Sequence, residues 1–130
     1  MSLKLKSSCL LSAALFAAAP AAAEDLTDAT DLSITKAWSQ EPQGWTYEVG
    51  IHVPEQMPSG GHPVCILLHG ADSSGAGLLA AMPEYLPDHV LLAPAGYLQG
   101  WNICREDSRA PDLEMVEELI DSVREYDNVN

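Results

Sequence analysis

The apolar residues of this chain fall into short runs that predict an alternation of strands and helices. Residues 45–53 alternate bulky with small or polar side chains, which is typical of a half-buried antiparallel strand. Residues 64–68 and 89–93 are continuous apolar runs of strand length, as expected for parallel strands that are covered on both faces. The pattern therefore predicts a small α/β domain.

Weaker signals fill the intervals between these strands. Residues 34–39 form a candidate first strand, and residues 42–44, Pro-Gln-Gly, are predicted to be the turn before the next one. Residues 78–82 form a short helix candidate that ends at Pro83. A strand, a helix and a strand in this order predict a βαβ unit.

The strongest helix signal covers residues 111–125. Pro111 suits the first turn of a helix, and Asp112 and Glu114 suit its positive end. Four apolar residues at helical spacing predict the buried stripe of this helix: Leu113, Val116, Ile120 and Val123.

Residues 1–23 have the order of a secretory signal peptide. Lys4 and Lys6 precede an apolar run over residues 9–19, and residues 21–23 form a small-residue cleavage site before Glu24. The apolar run is too short to cross a bilayer. We expect a secreted or periplasmic protein. The alternative is an N-terminal helix that is retained as a membrane anchor.

The charge of the chain limits its partners. All 19 acidic residues but only four of the six basic residues follow residue 23, so this part carries a formal charge of −15. Such a charge disfavours binding to nucleic acid or to an anionic membrane surface. Residues 24–32 are acidic and small with no apolar period, and we expect a disordered leader there. The remaining length, residues 33–130, suits one domain.

Four segments together resemble a known family: PVCILLHGADSSGAG from Pro63, VLLAPAG from Val90, GWNIC from Gly100, and the C-terminal helix. Their order and spacing resemble the N-terminal half of secreted esterases of the polyhydroxybutyrate depolymerase and feruloyl esterase-like group. The resemblance implies a partial α/β-hydrolase fold over residues 33–130, with two antiparallel strands followed by a parallel β-α-β-α unit. It also implies ester hydrolysis through an acyl-enzyme, an ester substrate and no cofactor.

The resemblance assigns roles to residues after the two parallel strands. The turn His69-Gly70 resembles the one after which a backbone N–H donates to the oxyanion, which gives Gly70 and Ala71 this role. Gly70 permits the sharp bend that would aim this N–H at a developing negative charge. His69, Trp101 and Asn102 resemble residues at the mouth of the active site. The structural alternatives are that the His-Gly pair only ends a strand and that Trp101 caps a loop.

The sequence departs from this family where a nucleophile is needed. Relatives continue into a strand that ends at the catalytic serine, whereas no serine of this sequence stands in a G-x-S-x-G pattern. No histidine has a serine and a carboxylate in a recognisable order, and no spacing is typical of metal ligands. We therefore expect a chain truncated before the nucleophile strand and inactive alone. The alternative is a small secreted binding or assembly module without catalysis.

The cysteines and the strand edge complete the sequence-based expectations. Cys65 enters one parallel strand and Cys104 follows the next, which puts the two thiols at opposite ends of the sheet and too far apart for a disulfide. We expect Cys65 to be buried and Cys104 to be unpaired. Without a further strand, residues 64–68 would form an apolar edge, and we expect self-association or aggregation through it.

Overall fold

The computed structural model describes residues 24–130, so the predicted signal peptide lies outside the described residues. Strands and helices are mixed along the chain, which makes this part a small α/β protein. No helix among the described residues is long and apolar enough to cross a membrane. The main elements are β1 (Ile34–Trp38), β2 (Glu41–Tyr47), β3 (Val49–His52), β4 (Val64–Ile66), α1 (Gly75–Ala81), β5 (Val90–Pro94) and α2 (Asp112–Val123).

The strands form two sheets. β1 and β2 pair with each other in antiparallel orientation, and Ile34 lies opposite Tyr47. The larger sheet has the order β3-β5-β4, in which β3 is antiparallel and β4 is parallel to β5. The two continuous apolar runs are therefore confirmed as parallel neighbours, although β4 ends at Ile66 and not at Leu68. β4 lies at the edge of this sheet, and β5 lies at its centre.

The region around β2 differs from the sequence prediction. The strand predicted over residues 45–53 is divided, because β2 pairs with β1 whereas β3 pairs with β5. The turn predicted at residues 42–44 is wrong, since these residues lie inside β2 and the chain reverses at Ser39 and Gln40. The pairing register shifts opposite these residues, and Gly44 there has a φ of +92°. The Pro-Gln-Gly signal thus produces an irregularity within the strand.

Strand β5 joins two apolar cores. All five of its residues are buried, as expected for a strand that is covered on both faces. Val90 and Leu92 pack in a core with α2, β1 and β2. Leu91 and Ala93 point to the opposite face and pack with residues of α1. The period-two alternation of the strand therefore separates the two cores.

Helix α2 buries a different stripe from the predicted one. Its start agrees with the prediction, because the helix begins just after Pro111, whereas it ends at Val123, two residues before the predicted end. Its buried residues are Asp112, Met115, Leu119 and Val123. Of the predicted stripe, only Val123 is buried, and Leu113, Val116 and Ile120 remain half-exposed. The helix thus has two adjacent apolar rows, and helical periodicity alone cannot choose between them.

The segment 24–32 is not a disordered leader but packs on the domain. Leu26 and Leu32 are only 1% and 6% exposed. The Asn128 side chain holds Leu26 at both backbone groups: its Oδ1 accepts the Leu26 N–H at 2.8 Å, and its Nδ2 donates to the Leu26 carbonyl at 2.9 Å. Asp28 accepts the backbone N–H of Val53. Two leucines and one distant asparagine therefore order a segment of acidic composition.

The residues after α2 turn back along β4. The His62 N–H donates to the Asn128 carbonyl at 2.8 Å, and the Asn130 N–H donates to the His62 carbonyl at 3.0 Å. His62 and Val129 thereby form a parallel bridge. This bridge lies beside the start of β4, on the side that faces away from β5.

Because Asn128 holds the segment 24–32 on the domain, we expect Asn128→Ala to destabilise the protein strongly. We expect the free energy of unfolding to fall by about 2–3 kcal/mol, because the Leu26 N–H and C=O would be buried without partners. Asn130→Ala is the control, since the Asn130 side chain makes one long hydrogen bond, 3.4 Å to the Gly61 carbonyl. Urea unfolding measures both variants. Rapid amide exchange at Leu26 in the wild type, with no loss in Asn128→Ala, would restore the disordered-leader interpretation.

Candidate functional site

The candidate residues lie in two loops at the carboxyl ends of β4 and β5. The loop after β4 carries His69, Gly70 and Ala71, and the loop after β5 leads to Trp101 and Asn102. The rings of His69 and Trp101 lie 4.9 Å apart between their centroids. The Trp101 indole N–H donates to the His69 carbonyl at 2.8 Å. The structure therefore brings the two sets of candidates together.

His69 is a buried residue whose two ring nitrogens both contact backbone groups. Its Nδ1 lies 2.7 Å from the Gly70 carbonyl oxygen, and the Gly96 N–H donates to its Nε2 at 3.1 Å. A carbonyl oxygen only accepts and an N–H only donates, so the neutral ring carries its proton on Nδ1. A Cβ at Gly96 would lie 2.0 Å from the Gly100 carbonyl oxygen, so this position requires glycine. His69 thus ties the two loops together and has no free nitrogen for proton transfer.

Gly70 and Ala71 form an exposed turn directly after His69. A Cβ at Gly70 would have no atom within 4 Å, so the space beside the turn is open. Asp72, which has a φ of +56°, donates its N–H to the Gln99 carbonyl at 3.0 Å and anchors the far end of the turn. Among residues 24–130, neither the Gly70 N–H nor the Ala71 N–H has a hydrogen-bond acceptor. The contacts of His69 and Asp72 therefore hold these two N–H groups in place, and both remain available to a ligand.

Asp112 is a site residue that the sequence interpretation missed. Its side chain is buried at the start of α2, where the helix dipole stabilises negative charge. The carboxylate accepts the Asn102 N–H at 2.6 Å and the Tyr97 N–H at 3.5 Å. Asp112 therefore supports the second loop. An acidic residue in the first turn of a helix is an ordinary capping signal, so no local pattern indicates this role.

The side chain of Asn102 is engaged within its own loop. Its Nδ2 donates to the carbonyls of Cys104 and Ala110 at 2.9 and 2.8 Å, and its Oδ1 accepts the Cys104 N–H at 3.3 Å. The amide thereby closes the segment 102–110. These contacts, like the indole bond of Trp101, favour the structural alternative for both residues.

Two tyrosines near Asp112 have raised pKa values. Tyr47 is fully buried, and its hydroxyl has no hydrogen-bond partner within the described range. Burial, followed by the nearby Asp112 carboxylate, holds the pKa of Tyr47 far above its usual value. The Tyr97 hydroxyl donates to Glu41 at 2.8 Å, and this hydrogen bond raises the pKa of Tyr97. Both hydroxyls therefore stay neutral at ordinary pH.

Two cavities of different character adjoin the loops. A polar cavity of about 460 Å³ extends from Gln40 past Trp101 to Arg109. A smaller cavity of about 90 Å³ is apolar and lies between the end of β4 and the start of α2. Its lining includes Leu68, Trp101, Ile103, Leu113 and Val116. Leu68, in the lining of the apolar cavity, immediately precedes His69 in the sequence.

The cysteines depart in one respect from expectation. Cys65 is half-buried and not buried, because β4 is an edge strand that α1 covers only in part. Cys104 is exposed, and both thiols are free within the described range. No group of three His, Cys, Asp or Glu side chains in residues 24–130 is arranged to hold a metal ion.

No protein-family model, curated protein or solved structure matches this chain.

Because the His69 ring links the two loops, we expect His69→Ala to lower the free energy of unfolding by about 3 kcal/mol. The Gly96 N–H would be buried without an acceptor, and the ring contact with Trp101 would be lost. His52→Ala is the control, because His52 is half-buried in β3 and makes no side-chain hydrogen bond within the described range. Urea unfolding, followed by tryptophan fluorescence, measures both variants. Equal losses of unfolding free energy in the two variants would show that His69 does not link the loops.

The unpartnered hydroxyl predicts that Tyr47→Phe is neutral or stabilises the protein by up to about 1 kcal/mol at pH 7. In the unfolded chain the phenol ionises near pH 10, whereas the native state keeps its proton. Wild-type stability should therefore fall as pH rises above about 10, by up to about 1.4 kcal/mol per pH unit from this group, and the variant should lose this component.

Tyr97→Phe is the matched control for this measurement, since it removes a hydroxyl that is hydrogen bonded to Glu41. It should not stabilise the protein at pH 7. Denaturant unfolding between pH 7 and pH 11 compares the three proteins. Parallel stability curves for wild type and Tyr47→Phe would show that Tyr47 ionises in the native state as it does in the unfolded chain.

Proposed function

We propose that this chain is the oxyanion-binding part of a secreted, serine esterase-like hydrolase with a partial α/β-hydrolase fold. Its substrates would be carboxylic esters of the polyester or feruloyl type. The observation that carries the proposal is the exposed Gly70-Ala71 turn at the carboxyl end of β4, whose two backbone N–H groups have no acceptor among residues 24–130. The order β3-β5-β4 supports the fold, since it combines an antiparallel strand with a parallel βαβ unit.

The turn suits the charge change of ester hydrolysis. When a nucleophile adds to the ester carbonyl carbon, the carbonyl oxygen gains negative charge, and a fixed N–H such as that of Ala71 stabilises it. One such donor contributes roughly 100- to 1000-fold in rate where a complete site exists. The donors are fixed in advance by His69 and by the Asp72 contact, so little reorganisation is needed. The apolar cavity beside Leu68 would accept a short acyl chain.

The chain is proposed to be inactive on esters by itself. Ser73 and Ser74 are exposed in the loop, and neither makes a side-chain hydrogen bond to a histidine within the described range. His69, the nearest histidine in the sequence, has both nitrogens engaged. A serine without a base is a weak nucleophile. We also propose export, on the signal-peptide order of residues 1–23.

A non-catalytic binding module is the second candidate. The observation in its favour is that His69, Trp101 and Asn102 all direct their polar groups to the backbone of the two loops. Such side chains stabilise a loop, whereas a catalytic site normally leaves polar groups free for its substrate.

Binding of a stable tetrahedral anion tests the donor turn. We expect methyl phenylphosphonate to shift the amide resonances of Gly70 and Ala71 in a titration followed by NMR. Ala71→Pro removes the donor and should weaken binding at least about tenfold, whereas Ala71→Gly keeps the N–H and serves as control. The protein should not hydrolyse p-nitrophenyl acetate above the buffer rate or react with a fluorophosphonate.

Two results would contradict the proposal. Unchanged Gly70 and Ala71 resonances at saturating phosphonate, or equal binding by Ala71→Pro, would favour the non-catalytic module. Stoichiometric fluorophosphonate labelling of a serine would show that the chain holds its own activated nucleophile.

A further inference from the structure

The docked segment 24–32 begins at the bond where the signal peptide is expected to be cut. The expected cleavage site ends at Ala23, and Glu24 follows it. Leu26, the third residue after this bond, is almost fully buried and lies in the apolar core with α2 and β5. Three residues of extended chain span at most about 10 Å. The expected cleavage bond is therefore close to the body of the domain.

Hydrogen bonds hold this segment from its first residue onward. The Asp127 N–H donates to the Glu24 carbonyl at 3.2 Å. Two residues later, the Asn128 side chain bonds to both backbone groups of Leu26. The Leu26 and Asn128 positions are 102 residues apart in the sequence. Docking of the segment therefore depends on the folded domain and not on the local sequence.

Proteolysis needs the opposite state of this segment. Proteases cut backbone that is exposed and free of hydrogen bonds, and they bind it as an extended chain on both sides of the cut. In the docked segment, the Glu24 carbonyl and both backbone groups of Leu26 are engaged. Cleavage of the folded protein must therefore pass through a state in which the segment has left the domain.

The charge of the domain adds a second reason for cleavage before folding. Residues 24–130 contain 19 acidic and four basic residues, which give a formal charge of −15. Because Glu24 is already bonded to the domain, the docked segment provides no spacer between the domain and a membrane that holds the signal peptide. An anionic membrane surface would repel the folded domain at this distance.

We propose that cleavage after Ala23 precedes docking of the segment 24–32, and that the folded precursor resists the signal peptidase. Water adds across the peptide bond, which leaves a carboxylate on Ala23 and an amino group on Glu24. The freed segment then inserts Leu26 and Leu32 into the core and closes the domain. This inference rests on the proposed export and adds to it an order of events that a signal peptide alone does not impose.

Cleavage of the purified full-length chain, residues 1–130, tests this order. The chain is incubated with bacterial signal peptidase in detergent micelles, and mass spectrometry measures the product that begins at Glu24. A synthetic peptide with the sequence of residues 14–32 gives the rate for an undocked segment. We expect the folded full-length chain to be cut at least about 100-fold more slowly than this peptide, because only its locally open state is a substrate.

Two variants of the full-length chain separate docking from overall stability. Asn128→Ala removes both hydrogen bonds to Leu26 and should speed cleavage at least about tenfold. Leu91→Ala is the matched control, since Leu91 packs in the other core and its truncation destabilises the domain without a change at the segment. It should leave the cleavage rate unchanged, because local undocking does not require opening of that core.

Thermal unfolding shows whether each variant remains folded, and a milder variant replaces any that does not. Leu91→Val replaces Leu91→Ala. Asp28→Ala replaces Asn128→Ala, because Asp28 accepts the backbone N–H of Val53 and this contact also holds the segment. Asp28→Ala should speed cleavage at least about threefold.

Three results would overturn the proposal. Equal cleavage rates for the full-length chain and the peptide would show that docking does not protect the bond, although export would stand. Equal acceleration by Asn128→Ala and Leu91→Ala would show that the bond becomes accessible only when the whole domain unfolds. A peptide that is not cut after Ala23 would remove the cleavage site, and with it both this inference and the proposed export.

Discussion

The complete burial of β5 is the constraint on which the rest of the structure depends. A strand buried on both faces must pair its backbone on both sides, because its N–H and C=O groups cannot reach water. β3 and β4 provide these partners. Its side chains need two covers, which are α1 on one face and α2 with the docked leader on the other. β5 ends at Pro94, and two residues later the Gly96 N–H donates to the His69 ring.

The candidate site is built from polar side chains that serve backbone groups. His69, Asn102 and Asp112 together satisfy N–H and C=O groups of two loops that have little regular structure. Each of these contacts restricts the loops, and none leaves a side-chain group free for chemistry. Within the part of the chain that the structure describes, the backbone N–H groups of Gly70 and Ala71 have no acceptor. This division suits a preorganised donor site, in which rigidity matters more than the number of functional side chains.

The sequence predicted the elements whose signals are local. A run of residues buried on both faces is apolar whatever covers it, so β4 and β5 could be recognised without tertiary information. Long-range contacts could not be recognised. Leu26 is ordered by Asn128, 102 residues away, and local composition therefore suggested disorder. Residues 42–44 carry a turn signal, but their pairing with β1 turns it into a strand irregularity. The role of Asp112 depends on a loop that only the fold brings to it.

The outer edge of β4 is protected in several ways against pairing with a second copy of the chain. The strand is only three residues long, and the bridge at His62 blocks one end of the edge against antiparallel pairing. The excess of acidic residues opposes the approach of another copy. The short strand, the bridge at His62 and the acidic charge therefore all act against pairing of two copies through this edge.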